Sequence, residues 1–354
     1  MRIAQVAPLS ESVPPLLYGG TERVVYYLTQ ELMRMGHDVT LFASGDSRTA
    51  ARLVPGCPKA LRLDEAVYDP YAYAMLQLGR VFDHADEFDV IHSHLDYFTF
   101  PFTRLVRTPT LVTPHGRLDL FDIAPIFREY TEVNLVSVSN NQRNPLPFAN
   151  WLGTVYHGID LGDYRFGAGD GNYLAFLGRI SPEKGVDLAI RVAQHVGMPL
   201  KIAAKVDAAD KAYYDSVIAP LLETDNVEFV GEVDQAAKSE FLRNAYALLF
   251  PIRWPEPFGL VMIEAMACGT PVIALTMGAA PEVIASGRTG FVCDSYEAMV
   301  QAVCRVHEID RRECRHHVET NFSARVMALG YEDIYRRLIL TADRAARERY
   351  GKAA

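Results

Sequence analysis

Short apolar runs alternate with longer segments of helical period along the first half of the chain. A helix is predicted over residues 21–35, because Val24, Leu28 and Leu32 recur at helical spacing and Gly36 follows. The strand candidates of this half are residues 3–7, 39–43, 90–92, 110–113, 134–138 and 153–156. Strands that alternate with helices in this way indicate a parallel sheet with helices on both faces.

The alternation starts again after a glycine-rich segment, residues 162–172, which is the predicted linker between two halves. An apolar run at 173–177 is followed by Gly178 and by a helix predicted over 185–195. The other strand candidates are residues 200–204, 227–230, 247–251 and 271–275. The pattern predicts an α/β protein of two Rossmann-like halves. The charged helical stretch after residue 324 either closes the second half or returns to the first.

Length, charge and cysteine content narrow the class of protein. A chain of 354 residues, 49% of them hydrophobic, is long enough to form two cores. Its net charge of -9 argues against general attraction to nucleic acid or to an anionic membrane. The five cysteines never form a C-x-x-C pair, which argues against a zinc ribbon and for a reducing compartment. No signal peptide and no bilayer-spanning apolar run are apparent, so a soluble cytoplasmic protein is expected.

The most informative stretch places two glutamates around a predicted helix start. Its residues are Glu256, Pro257, Phe258, Gly259, Leu260 and, about one turn into the helix, Glu264. Phe258, Gly259 and Leu260 are expected to open the helix, so their free N–H groups can bind an anion. One glutamate alone is more often a cap or a solvated side chain. The pair indicates a ligand with hydroxyls at both ends and an anion between them, because carboxylates accept hydrogen bonds from diols. A sugar nucleotide is such a ligand.

A second candidate site follows the strand at 173–177, where Arg179 and Lys184 stand between Gly178 and Gly185. The guanidinium of Arg179 can bind two phosphate oxygens, and Lys184 adds a compact positive charge. Two solvated surface cations are the ordinary alternative. The position at the carboxyl end of a strand favours phosphate binding, because ligands of open α/β sheets bind there.

Weaker candidates lie in the first half. Gly19 and Gly20 precede a helix and let a ligand approach the backbone, although a flexible loop explains them equally well. His115 follows the strand at 110–113, where a lone histidine is more often structural. His92 and His94 share one side of a strand, but no third ligand is apparent, so no metal site is predicted.

Together these motifs resemble the GT-B-fold glycosyltransferases of the retaining family four, over nearly the whole chain. The matching pieces are Tyr18-Gly19-Gly20, Thr113-Pro114-His115-Gly116, Val138-Ser139, Tyr156-His157-Gly158-Ile159-Asp160, Gly178-Arg179 with Lys184-Gly185, and residues 256–260 with Glu264-Ala265. His157 is a departure, since the family usually has Asn there. The resemblance implies two Rossmann-like domains that face a central cleft. These are an acceptor domain at 1–165, with a helix at 327–354 packed back on it, and a donor domain at 166–326.

The resemblance also implies roles for individual residues. Arg179 and Lys184 would bind the donor diphosphate and stabilise it as it leaves, and Glu264 would hold the ribose hydroxyls. Glu256 and the backbone after it would hold the transferred sugar, with His115 beside that sugar. The implied catalytic residues are His115, Arg179, Lys184 and Glu256. The implied donor-binding residues are Gly19, Gly20, Arg179, Lys184, Lys205, Val206, Val230, Gly231, Glu256, Pro257, Phe258, Gly259, Leu260 and Glu264.

The implied reaction is a retaining transfer of a hexose, with glucose the first choice, from a uridine diphosphate sugar. Neither a metal nor a cofactor is expected, because Arg179 and Lys184 supply the positive charge. The acceptor is an unidentified small molecule or glycan. Nucleic acid is not an expected partner, and membrane association is expected to be weak or absent. Two alternatives stay open: epimerase or phosphorylase chemistry on an activated sugar, and a non-catalytic nucleotide-sugar sensor.

Overall fold

A computed structural model of the chain describes residues 1–62, 64–169, 171–224 and 226–351, with side chains through Arg344. Residues Met1–Gly158 and the segment that begins at Ala324 form one compact unit, and Ile159–Ser323 form the other. The sequence prediction places these boundaries at residues 165 and 326, so the observed ones fall a few residues earlier. Residue 170 of the predicted linker and residues 352–354 of the predicted last helix lie outside the described residues.

The first unit is built on a parallel sheet whose described strands follow the order β3-β2-β1-β4-β5-β6-β7. The strands are β1 (Arg2–Val6), β2 (Asp38–Ser44), β3 (Arg52–Cys57), β4 (Val90–Ser93), β5 (Thr110–Val112), β6 (Asn134–Ser137) and β7 (Trp151–Thr154). The helices are α1 (Gly20–Arg34), α2 (Pro70–Asp83), α3 (Phe100–Thr103) and α4 (Ala124–Glu129). The strand order reverses between β1 and β4, and ligands of such sheets bind at the carboxyl ends beside that reversal.

The second unit repeats this plan with the described strand order β10-β9-β8-β11-β12-β13. Its strands are β8 (Leu174–Arg179), β9 (Leu200–Lys205), β10 (Val227–Gly231), β11 (Ala247–Phe250), β12 (Val272–Leu275) and β13 (Gly290–Cys293). Its helices are α5 (Val186–Val196), α6 (Lys211–Tyr213), α7 (Ala219–Leu222), α8 (Gln235–Arg243), α9 (Leu260–Ala267), α10 (Ala280–Val283), α11 (Tyr296–Arg305) and α12 (Arg311–Asn321). Here the order reverses between β8 and β11, so the loops after these two strands share the ligand-binding edge.

The last helix, α13 (Ala324–Gly351), belongs to the first unit, where it packs against α1. Its Tyr331 and Tyr335 are fully buried there. The hydroxyl of Tyr331 lies 3.1 Å from the Thr113 hydroxyl, and the Gln5 amide donates to the Tyr335 hydroxyl at 3.0 Å. The C-terminal segment is thus tied by polar bonds to the carboxyl edge of the first sheet. None of the described helices is both long enough and apolar enough to cross a membrane.

The predicted pair of parallel Rossmann-like sheets is confirmed, and most predicted strands occur within one or two residues of their predicted bounds. Strands β3 and β13 were not predicted. Both lie at the edge of a sheet, and β3 contains Pro55 and Gly56, which the sequence pattern gives as strand breakers. An edge strand tolerates proline because one side of it needs no ladder hydrogen bonds.

Candidate functional site

The loop after β8 carries the two predicted phosphate-binding cations. Arg179 is the last residue of β8, and its guanidinium forms an ion pair with Glu183. The same guanidinium lies 3.4 Å from Asp210 Oδ2 and 3.8 Å from Asp207 Oδ2. Arg179 therefore stands among three carboxylates. An anion that binds there must replace or share these partners.

Lys184 ends a short 3-10 turn, Pro182–Lys184, and Gly185 follows with a positive φ of 73°. A Cβ on Gly185 would lie 2.2 Å from the carbonyl oxygen of Pro251, so only glycine fits where the two loops meet. The turn directs Lys184 to Glu256, with which it forms an ion pair whose side chains are 17% and 13% exposed. The Lys184 ammonium also lies 5.3 Å from the centre of the Trp254 ring. A predicted cation after β8 and a predicted carboxylate after β11 thus meet directly.

The backbone of Glu256 is held in place by the loop after β12. Its carbonyl accepts a hydrogen bond from Ala279 N–H at 3.0 Å, and a Cβ on Gly278 would lie 2.3 Å from the Glu256 nitrogen. The predicted start of α9 needs a correction. The first residue of α9 is Leu260, and Gly259 caps the helix with φ 83°. Gly259 and the buried Phe258 therefore precede the helix. Gly259 adopts the left-handed conformation, which ends the loop between β11 and α9.

Glu264 lies inside α9 and is almost fully buried. Its Oε1 accepts hydrogen bonds from the Tyr164 hydroxyl at 2.7 Å and from the ammonium of Lys238 on α8. The side chains of Lys238 and Glu264 are only 11% and 6% exposed, so this is a buried ion pair. Lys238 and Tyr164 are not among the residues predicted from the sequence. The available signal was the helical spacing of Lys238 to Phe241 and Leu242, which places a lysine on an apolar helix face.

The predicted donor-binding residues Lys205, Val206, Val230 and Gly231 lie at the ends of β9 and β10, on the same edge as Arg179. Lys205 pairs in register with Arg179 across the sheet, and its ammonium lies 3.0 Å from Asp207 Oδ1. Arg179 and Lys205 therefore share the carboxylate of Asp207. Val206 follows directly, and the exposed Val230 precedes Gly231, which has φ 83°. The predicted residues of this unit thus gather at one sheet edge.

In the first unit, Gly19 ends the loop after β1 and Gly20 begins α1. Gly19 has φ 155°, and a Cβ there would lie 2.7 Å from Pro15 Cβ, so the turn requires glycine. Gly20 is the first residue of α1, and Glu22 is buried in the same helical turn. Burial, with a smaller contribution from the nearby carboxylate of Glu11, raises the pKa of Glu22 to about 7. A proton on Glu22 removes a negative charge from the start of α1, where Gly20 is a predicted donor-binding residue.

His115 follows β5 and belongs to a group of packed imidazoles. Its Nε2 lies 2.8 Å from His94 Nδ1, and its ring stacks on that of His157 at 5.1 Å between centres. Its backbone N–H donates to Asp96 Oδ1 at 3.2 Å. Burial lowers the pKa of His115 to about 3, so the imidazole is neutral. The departure from the family pattern at His157 thus supplies the stacking partner of His115.

The described residues contain no group of three or more His, Cys, Asp or Glu side chains placed to hold a metal ion. His92 and His94 lie side by side, as their alternation along the strand predicts, with ring centres 4.1 Å apart. Their nitrogens bond to other side chains, among them Gln5, Thr113 and Tyr335. The two histidines form part of a hydrogen-bonded network.

Comparison with known families agrees with this geometry. The sequence model described as Glycosyltransferase Family 4 matches residues 18–160, and the one described as Glycosyl transferases group 1 matches residues 166–321. The first model matches most of the first unit, and the second matches most of the second unit. The chain belongs to the family-four type of glycosyltransferases and is a glycosyltransferase enzyme.

Individual relatives cover nearly the full length. A glycogen synthase of Mycobacterium tuberculosis is 26% identical over 83% of this chain and 82% of its own. A D-inositol 3-phosphate glycosyltransferase of Mycolicibacterium smegmatis is 27% identical over 83% and 80%. Among solved structures, the avilamycin A biosynthesis glycosyltransferase AviGT4 has a TM-score of 0.72 at 23% identity, covering 96% of this chain and 98% of its own. Anabaena HepE, solved with UDP and glucose, has a TM-score of 0.72 at 16% identity, covering 95% and 100%. These likenesses confirm the GT-B fold.

Proposed function

We propose that this enzyme transfers a hexose, glucose in the first instance, from a uridine diphosphate sugar to a small-molecule or glycan acceptor. The observation that carries the proposal is the ion pair of Lys184 with Glu256, beside Arg179 and Lys205, on the ligand-binding edge of the second sheet. This edge offers cations for a diphosphate next to carboxylates for hydroxyls. The fold neighbour HepE was solved with UDP and with UDP-glucose, which supports the same class of donor.

Binding of the donor would exchange partners at this edge. A diphosphate oxygen would take the place of Glu256 on Lys184, and another would compete with the carboxylates around Arg179. Glu256 would then be released to accept hydrogen bonds from the transferred sugar. The positive charges would stabilise the diphosphate as negative charge builds on it during bond breaking. In this scheme Arg179 and Lys184 supply the charge, and the proposal includes no metal.

Glu264 is the proposed acceptor for the ribose hydroxyls. The bonds from Lys238 and Tyr164 fix its position, and the ammonium of Lys238 is the counter-ion of this buried carboxylate. A charged carboxylate is the stronger acceptor for a diol. Lys238 and Tyr164 are therefore proposed to position Glu264, although no ligand contact is assigned to them.

The chemical step is proposed to retain the configuration at the anomeric carbon. An oxygen of the departing diphosphate would deprotonate the acceptor hydroxyl on the same face of the sugar. His115 is assigned to the sugar by the family resemblance, and its neutral imidazole can form an uncharged hydrogen bond with a hydroxyl.

The donor is tested first by thermal shift of the whole chain with uridine, guanosine and adenosine diphosphate sugars. Hits are then assayed for slow donor hydrolysis. A stabilising shift with UDP-glucose that is absent with the other bases supports the proposed donor. A shift confined to another base would overturn the uridine assignment while keeping the nucleotide-sugar class.

Two substitutions then test the site. Glu256→Ala should lower donor hydrolysis at least about 100-fold, the scale of losing one group that stabilises a transition state, while UDP still binds. Lys205→Ala should weaken UDP binding. Its matched control is Lys201→Ala on the same strand, which removes a lysine paired with the exposed Glu228. Turnover that survives Glu256→Ala would contradict the donor site. UDP binding without any turnover of the wild type would favour a sensor.

A further inference from the structure

Two aspartates contact the cations at the carboxyl ends of β8 and β9. Asp207 Oδ1 lies 3.0 Å from the ammonium of Lys205, and Asp207 Oδ2 lies 3.8 Å from Nη1 of Arg179. Asp210 Oδ2 lies 3.4 Å from Nε of the same guanidinium. Lys205 and Arg179 belong to the edge that is proposed to bind the donor diphosphate. The two aspartates are therefore placed where they compete with phosphate oxygens for these cations.

Both aspartates belong to one short turn after β9. Asp207 precedes the 3-10 turn Ala208–Asp210, and the backbone N–H of Asp210 donates to the carbonyl of Asp207 at 2.9 Å. This local bond closes the turn, so the two carboxylates lie close enough together to contact one guanidinium. The competition for Arg179 is thus a property of the whole turn.

The turn is tied to the neighbouring loops through α6. The hydroxyl of Tyr213, the last residue of α6, donates to Asp187 Oδ1 at 3.1 Å. Burial, together with the nearby carboxylate of Asp187, raises the pKa of Tyr213 to about 12, so the hydroxyl keeps its proton at neutral pH. Arg253, in the loop after β11, donates to both oxygens of Asp187 at 3.0 and 2.9 Å. These bonds hold the segment that follows Asp207 and Asp210 in place.

The contacts of Arg179 with the two aspartates are long for charged groups. Hydrogen bonds between a guanidinium and a carboxylate or a phosphate measure about 2.7–2.9 Å, and a phosphate can accept two of them side by side. A phosphate can therefore replace Asp207 and Asp210 on Arg179. Their charges would still repel it, because the two side chains are only 33% and 17% exposed and water screens them incompletely.

We propose that Asp207 and Asp210 are internal competitors of the donor diphosphate. They pair with Arg179 and Lys205, and they weaken the binding of a nucleoside diphosphate because it must displace them from these cations. This inference rests on the proposed function, since it takes a nucleoside diphosphate as the ligand. It assigns to the turn an effect opposite to that of the cations, which strengthen binding. Removal of either carboxylate should therefore increase the affinity for the nucleotide.

Asp210→Asn keeps the size of the side chain and removes its charge. The Kd of UDP, measured by titration calorimetry on the whole chain at fixed ionic strength, should fall about fivefold, the scale of one ion pair that is partly open to solvent. Asp207→Asn should lower this Kd at least as much, because its carboxylate contacts both cations. An unchanged or higher Kd in both variants would overturn the inference, because it would show that the aspartates position the cations or bind the nucleotide themselves.

Asp215→Asn is the matched control. It removes the same charge a few residues further along the chain, but Asp215 pairs with the exposed Lys211, so the Kd of UDP should stay at the wild-type value. An equal fall in Asp215→Asn would show that net charge alone is responsible and would also overturn the inference. Failure of the proposed function has a different readout. A wild type that binds none of the uridine, guanosine and adenosine diphosphates would contradict the donor class, whereas UDP binding that neither Asp210→Asn nor Asp207→Asn strengthens would contradict the competition alone.

Discussion

The carboxyl of Glu22 gives the first unit a stability that depends on pH. This side chain is 5% exposed in the first turn of α1, and burial raises its pKa from 4.5 to about 7. At about 1.4 kcal/mol for each pKa unit, the shift corresponds to about 3 kcal/mol. The folded state binds the proton more tightly than the unfolded state. The stabilisation is therefore complete below the unfolded pKa and is lost as pH rises through the folded pKa near 7.

Glu22→Gln keeps the shape of the side chain and removes its titration. The free energy of unfolding of wild type minus that of the variant should fall by about 3 kcal/mol between pH 4.5 and about pH 8. The chain has two tryptophans, Trp151 in β7 of the first unit and Trp254 in the second. Chemical unfolding in a Trp254→Phe background therefore reports the first unit by fluorescence.

The control for this experiment uses the other tryptophan. In a Trp151→Phe background, Trp254 reports the second unit, whose transition should be the same with and without Glu22→Gln. A difference between wild type and variant that stays flat across this pH range, or that grows as pH rises, would refute the buried neutral carboxyl. Such a result would also remove the argument that Glu22 leaves the start of α1 free for an anion.

Three further outcomes test the second unit through the Trp254 signal. Lys238→Met should lower its free energy of unfolding by about 3 kcal/mol, because Glu264 loses a buried counter-ion. Adding Glu264→Gln to Lys238→Met should recover part of this loss. An equal loss in the single and the double variant would contradict the charge effect. Gly185→Ala should cost at least about 1 kcal/mol, because its Cβ would lie 2.2 Å from a carbonyl oxygen, and an unchanged transition would show that the loop relaxes. Arg315→Met should cost about 1–3 kcal/mol, because its guanidinium donates to three backbone carbonyls, whereas the exposed Arg312→Met on the same helix should cost little.

The two-sheet fold was predictable because its information is local and repeated. Apolar runs such as 3–7 and 173–177 alternate with helical segments, and a right-handed parallel crossover leaves few other topologies. The edge strands β3 and β13 were not predictable in this way. An edge strand packs less of its surface, so its sequence needs neither a long apolar run nor the absence of proline. Such segments become strands because they pair with the neighbouring strand of the sheet. The local sequence pattern does not show this pairing.

One rule was sufficient to predict where three of the candidate site residues lie in the fold. Arg179, Lys184 and Glu256 lie in the two loops beside the reversal of strand order, where the doubly wound architecture places ligands. For Lys238 the sequence offers only its helical spacing to Phe241 and Leu242, which is a weak signal because a lysine on a helix is usually solvated. Its burial depends on Glu264, which lies 26 residues further along the chain. Long-range charge pairing is a property of the packed structure.

The Lys184–Glu256 ion pair bears on the kind of ligand that the proposed site would bind. Both side chains are mostly desolvated, and an uncompensated charge at that depth costs several kcal/mol. Each group is the other's counter-ion, and on the function proposed above the donor would supply an anion to Lys184 and hydroxyls to Glu256. A ligand with only the phosphate would pair with Lys184 but would leave the carboxylate of Glu256 without a counter-ion or a hydrogen-bond donor. On the function proposed above, full binding strength requires the sugar and the diphosphate in one molecule, and the nucleoside diphosphate is expected to dissociate after the sugar has been transferred.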